Sequence, residues 1–164
     1  MLYIFVEGDD DSRFISNFSR AQETIIIEYA SDKKEKTTNF IKSIKSIPYA
    51  DYLFLADSDG KSIDDTKTYI KSIYANVDTE KIIVVQYEIE SWYYAGLSRV
   101  DHDRLKFKKY LDDTNSLTKE AFYSKLPRFS ERIFYMQQIL KCYNVSQARK
   151  RNHSINSFFD TIAT

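Results

Sequence analysis

Residues 2–11 read Leu2-Tyr3-Ile4-Phe5-Val6-Glu7-Gly8-Asp9-Asp10-Asp11, an unbroken apolar run that stops at a glycine flanked by carboxylates. Such a run, bounded by turn residues, is the pattern of a strand buried on both faces in a parallel sheet. The pattern recurs at 24–29 (TIIIEY), 52–56 (YLFLA) and 81–89 (KIIVVQYEI). Between these runs, 11–20 places Phe14, Ile15 and Phe18 at helical spacing. Residues 38–47 do so with Phe40, Ile41, Ile44 and Ile47, and 63–74 with Tyr69, Ile70 and Ile73. Strand and helix in alternation predict βαβ units, hence an α/β, Rossmann-like, mainly parallel four-stranded sheet flanked by helices. After Gly96 only helical patterns follow, at 101–111, 118–125, 131–143 and 154–162. The expected organisation is an α/β domain over 1–98 and a C-terminal helical extension over 99–164 packed on the same core, since ~65 residues of short helices make a poor independent core.

The 164 residues are 43% hydrophobic and 15% aromatic with three Gly and two Pro, which excludes collagen-like, linker-like and disordered chains. No apolar run approaches the ~20 residues of a membrane span, and the first residues lack the basic start of an export signal. Cys142 stands alone, so neither an internal disulfide nor a multi-cysteine zinc site is available. A cytoplasmic protein with no membrane association is expected. Formal net charge is zero, yet residues 1–98 hold 11 Lys+Arg against 17 Asp+Glu, and residues 99–164 hold 13 against 7. An acidic half suits cations and a basic half suits phosphates.

In an open parallel sheet, residues just beyond neighbouring strand ends converge on one crevice. Two acidic groups occupy such positions: Glu7-Gly8-Asp9-Asp10-Asp11 after the first strand and Asp57-Ser58-Asp59-Gly60 after the third. Carboxylates gathered so closely repel one another unless a divalent cation neutralises them, and hard oxygen donors favour Mg²⁺ or Mn²⁺. Asp and Gly are also ordinary turn and capping residues, a reading that suits Asp9 and Asp10 individually.

These two segments resemble the paired motifs of the TOPRIM superfamily. Tyr3 to Asp11 is similar to its first motif, an apolar strand followed by Glu-Gly and an acid four places after the Glu, and Phe54 to Gly60 to its Asp-x-Asp motif. Tyr87 to Ala95 resembles the Ile-Glu-x-Trp segment of small TOPRIM-like proteins related to OLD-family nucleases, and Asn152 to Phe159 more loosely resembles their Ser/Phe-rich tail. The resemblance implies Mg²⁺ (or Mn²⁺)-dependent phosphodiester hydrolysis of DNA or RNA, with an ATPase as a partner and phage or plasmid defence as a setting. Carried over residue by residue, Glu7, Asp57 and Asp59 would be catalytic and hold one metal ion, with Asp11 and Glu90 as candidates for a second. Glu88 would share a strand face with Glu90.

Arg149, Lys150 and Arg151 with His153 form the densest basic group, a candidate nucleic-acid contact or else a solvated helix end. Trp92, Tyr93 and Tyr94 fit base stacking or core packing, and core packing is the commoner use of such aromatics. Two other functions fit the acidic strand ends. One is a receiver-like phosphoacceptor domain with Asp10, Asp11 and Asp57, against which stand Glu7, Asp59 and the lack of a fifth strand with a Lys-Pro pair. The other is a catalytically silent TOPRIM interaction module.

Overall fold

A computed structural model describes residues 1–19, 23–30, 32–128 and 130–162. They divide into two compact units, Met1–Val84 and Val85–Thr164. The division therefore falls at Val84 rather than at residue 98.

The first unit alternates strand and helix as its apolar pattern requires. Its elements are β1 (Leu2–Val6), α1 (Asp9–Phe18), β2 (Thr24–Glu28), α2 (Lys34–Ile44), β3 (Asp51–Asp57), α3 (Ile63–Ile73), a 3-10 turn at Thr79–Lys81, and β4 (Ile82–Val85). The strands form one all-parallel sheet in the order β2-β1-β3-β4. Phe5 of β1 lies beside Ile27 of β2 and Phe54 of β3. Continuing that register brings Glu7 level with Ala56 and one step from Asp57, so parallel pairing alone delivers both acidic groups to one sheet edge.

Burial explains why these runs are strands. Tyr52 to Ala56 are all buried, as are Ile82 to Val85, which fits strands covered on both faces. On one face Phe54 stacks on Tyr29 with ring centroids 4.4 Å apart and meets Tyr74 at 5.2 Å, while Ile41 and Ile44 of α2 and Ile70 of α3 close the layer. Each such side chain contributes about 1.5–3 kcal/mol of burial against the cost of ordering it. Helix α3 starts at Ser62, whose Oγ accepts from the Asp65 N–H at 3.1 Å, and acidic Asp64 and Asp65 complement its N-terminal dipole. Helix α1 opens on Asp9, earlier than the apolar spacing suggests, and the expected helix end at Arg20 lies outside the described residues. At the amino end of the sheet, the Tyr52 hydroxyl donates to Asp78 at 3.0 Å and accepts from the Asp78 N–H at 2.8 Å, with Lys45 paired to the same carboxylate at 2.7 Å.

The second unit is helical: α4 (Glu90–Ala95), α5 (Arg99–Arg104), α6 (Lys119–Lys125), α7 (Arg132–Lys141), α8 (Val145–Arg151) and α9 (Ile155–Ile162). Every residue of α4 is buried, and α6, α7 and α8 pack against it. Among the described residues, no helix is long and apolar enough to cross a membrane.

One expected strand is cut short. β4 ends at Val85 instead of continuing to Ile89, because the Gln86 N–H turns to the Ser154 hydroxyl at 3.2 Å and Tyr87 takes a left-handed backbone with φ 60°. An aromatic residue at positive φ cannot continue a strand. Glu88 and Glu90 therefore do not share a strand face: Glu88 lies in the turn, and Glu90 opens α4.

Candidate functional site

The carboxyl ends of β1, β2 and β3 border a cleft of about 270 Å³ lined by residues of the first unit, Glu7, Asp57 and Asp59 among them. Glu7 follows β1 directly, and Asp57 is the last residue of β3. Asp59 then sits in a tight turn closed by the Lys61 N–H donating to the Ser58 carbonyl at 2.9 Å. The turn needs left-handed backbone at Asp59 (φ 49°) and Gly60 (φ 81°). Asp tolerates this conformation better than most residues, and Gly adopts it without a steric cost. The two glycines of the acidic segments thus differ. Gly8 has extended backbone, φ −161°, and a Cβ there would meet nothing within 4 Å, so no tight turn depends on it.

Tyr29, at the end of β2, registers the charge of this edge. Its phenol is buried and donates to the Leu55 carbonyl at 3.1 Å. Burial chiefly, and then the negative charges of Glu7, Asp57 and Asp11, push its pKa far above that of an ordinary tyrosine. Tyr29 is consequently a neutral donor locked to the sheet. Three of the acids expected at the site act on this one hydroxyl. Asp11 itself is buried on α1, 6% exposed, while Asp10 is paired with Arg13 within the same helix.

Two lysines that the sequence reading did not single out also line the cleft: Lys34, the first residue of α2, and Lys61, just after the Asp59 turn. Neither carries a local signal in the sequence, since Lys34 sits in the mixed charged run Asp32-Lys33-Lys34-Glu35-Lys36 and Lys61 follows a turn, both ordinary surface composition.

No protein-family model matches this sequence, and no curated protein or solved structure matches it either.

As a donor set, Glu7, Asp57 and Asp59 suit a hard divalent cation, since all offer carboxylate oxygen and share one cleft. Among the described residues, no group of three acidic, His or Cys side chains is already drawn together as a metal cage. The fit is therefore one of donor chemistry and common location.

The remaining expected site residues belong to the second unit. Glu90 is 1% exposed, and its carboxylate accepts from the Tyr123 hydroxyl at 2.7 Å, with the Lys119 ammonium 3.9 Å away. Arg132 in turn donates to the Tyr123 oxygen at 2.7 Å. Glu88 accepts from the Lys119 backbone N–H at 2.7 Å and so caps the start of α6. Trp92, Tyr93 and Tyr94 are fully buried core residues, which removes them as stacking surfaces.

The basic group splits. Arg149 pairs with Asp160 at 2.7 Å, while Lys150 and His153 are exposed. Arg151, by contrast, is 5% exposed, and its guanidinium donates to the carbonyls of Ala95 at 2.9 Å and Leu97 at 2.6 Å, and to those of Tyr94 and Leu111. It closes the carbonyl end of α4. Its Nη1 and Nη2 are spent on backbone carbonyls, so the expectation of a phosphate contact at Arg151 is corrected to that of a buried helix cap.

Proposed function

We propose that this protein is a metal-dependent phosphodiesterase acting on nucleic acid, a TOPRIM-like nuclease whose chemistry resides at the carboxyl edge of the first unit's sheet. The observation that carries this reading is the convergence of Glu7, Asp57 and Asp59 on one cleft that also presents Lys34 and Lys61. Acids for a cation beside ammonium groups for an anion suit a metal-bound phosphate better than either ligand alone.

In this scheme Asp57 and Asp59, together with Glu7, would hold Mg²⁺ or Mn²⁺. The bound ion would supply Lewis-acid stabilisation of charge on the phosphoryl and leaving oxygens. Glu7 accepts a proton from the attacking water as its oxygen bonds to phosphorus. The P–O ester bond breaks on the opposite side, and the departing oxygen takes a proton from solvent. Lys34 and Lys61 neutralise the non-bridging oxygens. Tyr29, kept neutral by burial and by the surrounding carboxylates, holds the ends of β2 and β3 together so that these groups keep their spacing.

The presence of Glu7 and Asp59 in the cleft beside Asp57 favours hydrolysis over a phosphoacceptor role, which needs one aspartate as the accepting group. The test is incubation of the purified protein with labelled single- and double-stranded DNA and RNA, with Mg²⁺, Mn²⁺ or chelator. Cleavage that requires metal and is lost in Glu7→Gln and Asp57→Asn is the expected result. Absence of cleavage together with stable phosphorylation of Asp57 by a small phosphodonor would replace this reading with the receiver-like one.

A further inference from the structure

Lys61 and Tyr69 stand out within the cleft. The Lys61 ammonium lies 4.6 Å from the Tyr69 ring centroid, and Tyr69 as a residue is 52% exposed. Among the described residues, neither Lys61 nor Lys34 has a carboxylate within ion-pair distance, although Glu7, Asp57 and Asp59 line the same cleft. Three other lysines of this unit do pair with an acid, Lys36 with Asp32 at 2.8 Å, Lys45 with Asp78 at 2.7 Å and Lys81 with Asp51 at 2.6 Å, but none of these three lines the cleft. Two uncommitted ammonium groups in a cleft rich in acid are suited to an incoming anion. An exposed cation–π contact is weak, so Lys61 can leave the ring for a phosphate at little cost.

We infer that Lys34, Lys61 and Tyr69 form a nucleotide subsite beside the carboxylates, in which the lysines take backbone phosphate and Tyr69 stacks on an unpaired base. This rests on the phosphodiesterase reading and deepens it to a substrate class: single-stranded nucleic acid, or a strand end frayed from a duplex. Bases inside a duplex have both faces covered by their neighbours and offer none to a ring on a cleft wall. An unpaired base offers its face irrespective of sequence. Tyr69 belongs to α3, whose buried Thr66 and Ile70 hold the helix on the sheet, so the ring is displayed from a fixed element.

The test is fluorescence anisotropy with labelled oligo-dT, oligo-U and a duplex of equal length, in Mg²⁺ and in the Glu7→Gln background so that the probes stay intact. Tyr69→Leu should weaken single-strand binding about tenfold, whereas Tyr69→Phe, which keeps the ring, should bind like the parent. Neither change should alter duplex binding. Lys34→Gln/Lys61→Gln should lower the salt slope on single strands by about 1.4, at about 0.7 per phosphate contact. The relative affinities for oligo-dT and oligo-U then show which nucleic acid the subsite prefers. Equal single-strand affinity of Tyr69→Leu and Tyr69→Phe in folded variants, an equal loss on duplex, or failure of the parent to bind any probe would overturn the subsite. Calorimetry with Mn²⁺ separates the two readings. Loss of the Tyr69 effect while the parent binds Mn²⁺ and Asp57→Asn/Asp59→Asn does not would remove the subsite and leave the metal reading standing, whereas no Mn²⁺ binding by the parent would end both.

Discussion

The indole N–H of Trp92 donates to the Ser154 hydroxyl at 2.7 Å across 62 residues of sequence. Ser154 passes the bond on to the Asn152 side-chain oxygen at 2.7 Å, and the Asn152 amide donates to Ser91 and to Thr114, each at 3.2 Å. The two sequence segments around Trp92 and around Ser154 are therefore halves of one buried polar network. Their spacing has a structural origin in this chain, because buried polar groups must find partners and these find one another.

Replacing Ser154 by Ala removes the acceptor of the Trp92 indole and of the Gln86 N–H in a buried setting. We expect a loss of about 1–3 kcal/mol in urea unfolding. Trp92 is the protein's single tryptophan, so its fluorescence reports on this site directly and should shift in the folded variant as well. Unchanged emission and midpoint would show that the network is dispensable.

Gly8 and Gly96 should respond unequally to the same change. A Cβ on Gly96 would overlap the Tyr143 ring, whose hydroxyl is held to the Trp92 carbonyl at 2.7 Å and so cannot swing clear. Gly96→Ala should cost about 1–3 kcal/mol as an overpacked contact. Gly8→Ala, with open space around the new methyl and extended backbone, should stay within about 0.5 kcal/mol of the parent. Thermal unfolding of both variants checks the contrast.

These cases show where the sequence was readable. β1 and β3 could be seen as apolar runs because burial on both faces leaves no polar interruption, and Glu7, Asp57 and Asp59 could be seen as strand-end acids because parallel strands share an edge. The end of β4 could not be seen, since Gln86 to Ile89 still alternates like a strand and a hydroxyl 68 residues away takes the Gln86 N–H. Arg151 resembled surface charge for the same reason: its burial is decided by distant carbonyls. Helix α8 has few apolar residues to mark it, and only Ala148 and Arg151 of its residues are buried. Lys34 and Lys61 become notable only once the fold puts them beside carboxylates that they do not pair with.

Asp59 allows the metal proposal to be tested through stability. Asn tolerates its left-handed backbone as Asp does, so Asp59→Asn isolates charge from conformation. In chelator the variant should melt at or slightly above the parent, because one of the mutually repelling carboxylates of the cleft is gone. Mn²⁺ should raise the parent's Tm, with a stabilisation of about 2.7 kcal/mol at a hundredfold excess over Kd, and should leave the variant nearly unmoved. Equal Mn²⁺ shifts in both would exclude Asp59 as a ligand.

Asp78 gives the expected acid sensitivity. The Lys45 hydrogen bond holds its carboxyl below the usual range, with the Tyr52 hydroxyl helping and partial burial opposing. A depressed folded pKa contributes stability above the ordinary carboxylate value of about 3.9, and that contribution is lost as pH falls through the lower folded value. The Asp78 side chain is 41% exposed, so screening keeps the pair with Lys45 below about 1 kcal/mol. Asp78→Asn should thus be less stable than the parent at pH 7 and indistinguishable from it once both are well below pH 3.9, as urea midpoints across that range would reveal.

Arg151 and its neighbours Arg149 and Lys150 should separate cleanly. Arg151→Gln withdraws a buried cation from the carbonyls at the end of α4, and a hydrogen bond to a charged group contributes about 1.5–3 kcal/mol net. A large loss of stability is expected, and Arg151→Lys should rescue little of it, because an ammonium cannot reproduce a planar fork that reaches four carbonyls. Arg149→Gln/Lys150→Gln removes one ion pair with Asp160 and a weak cation–π contact of the half-buried Arg149 with Phe159, so it should fold with at most a small loss of stability. Its effect is then legible in binding. If this face of α8 contacts substrate, the salt slope on single strands falls by about 1.4 for two lost phosphate contacts, and Mn²⁺ affinity stays put. An unaltered slope in the double variant, alongside a reduced one in Lys34→Gln/Lys61→Gln, would assign the phosphate contacts to the cleft and leave α8 a structural helix held by Arg151.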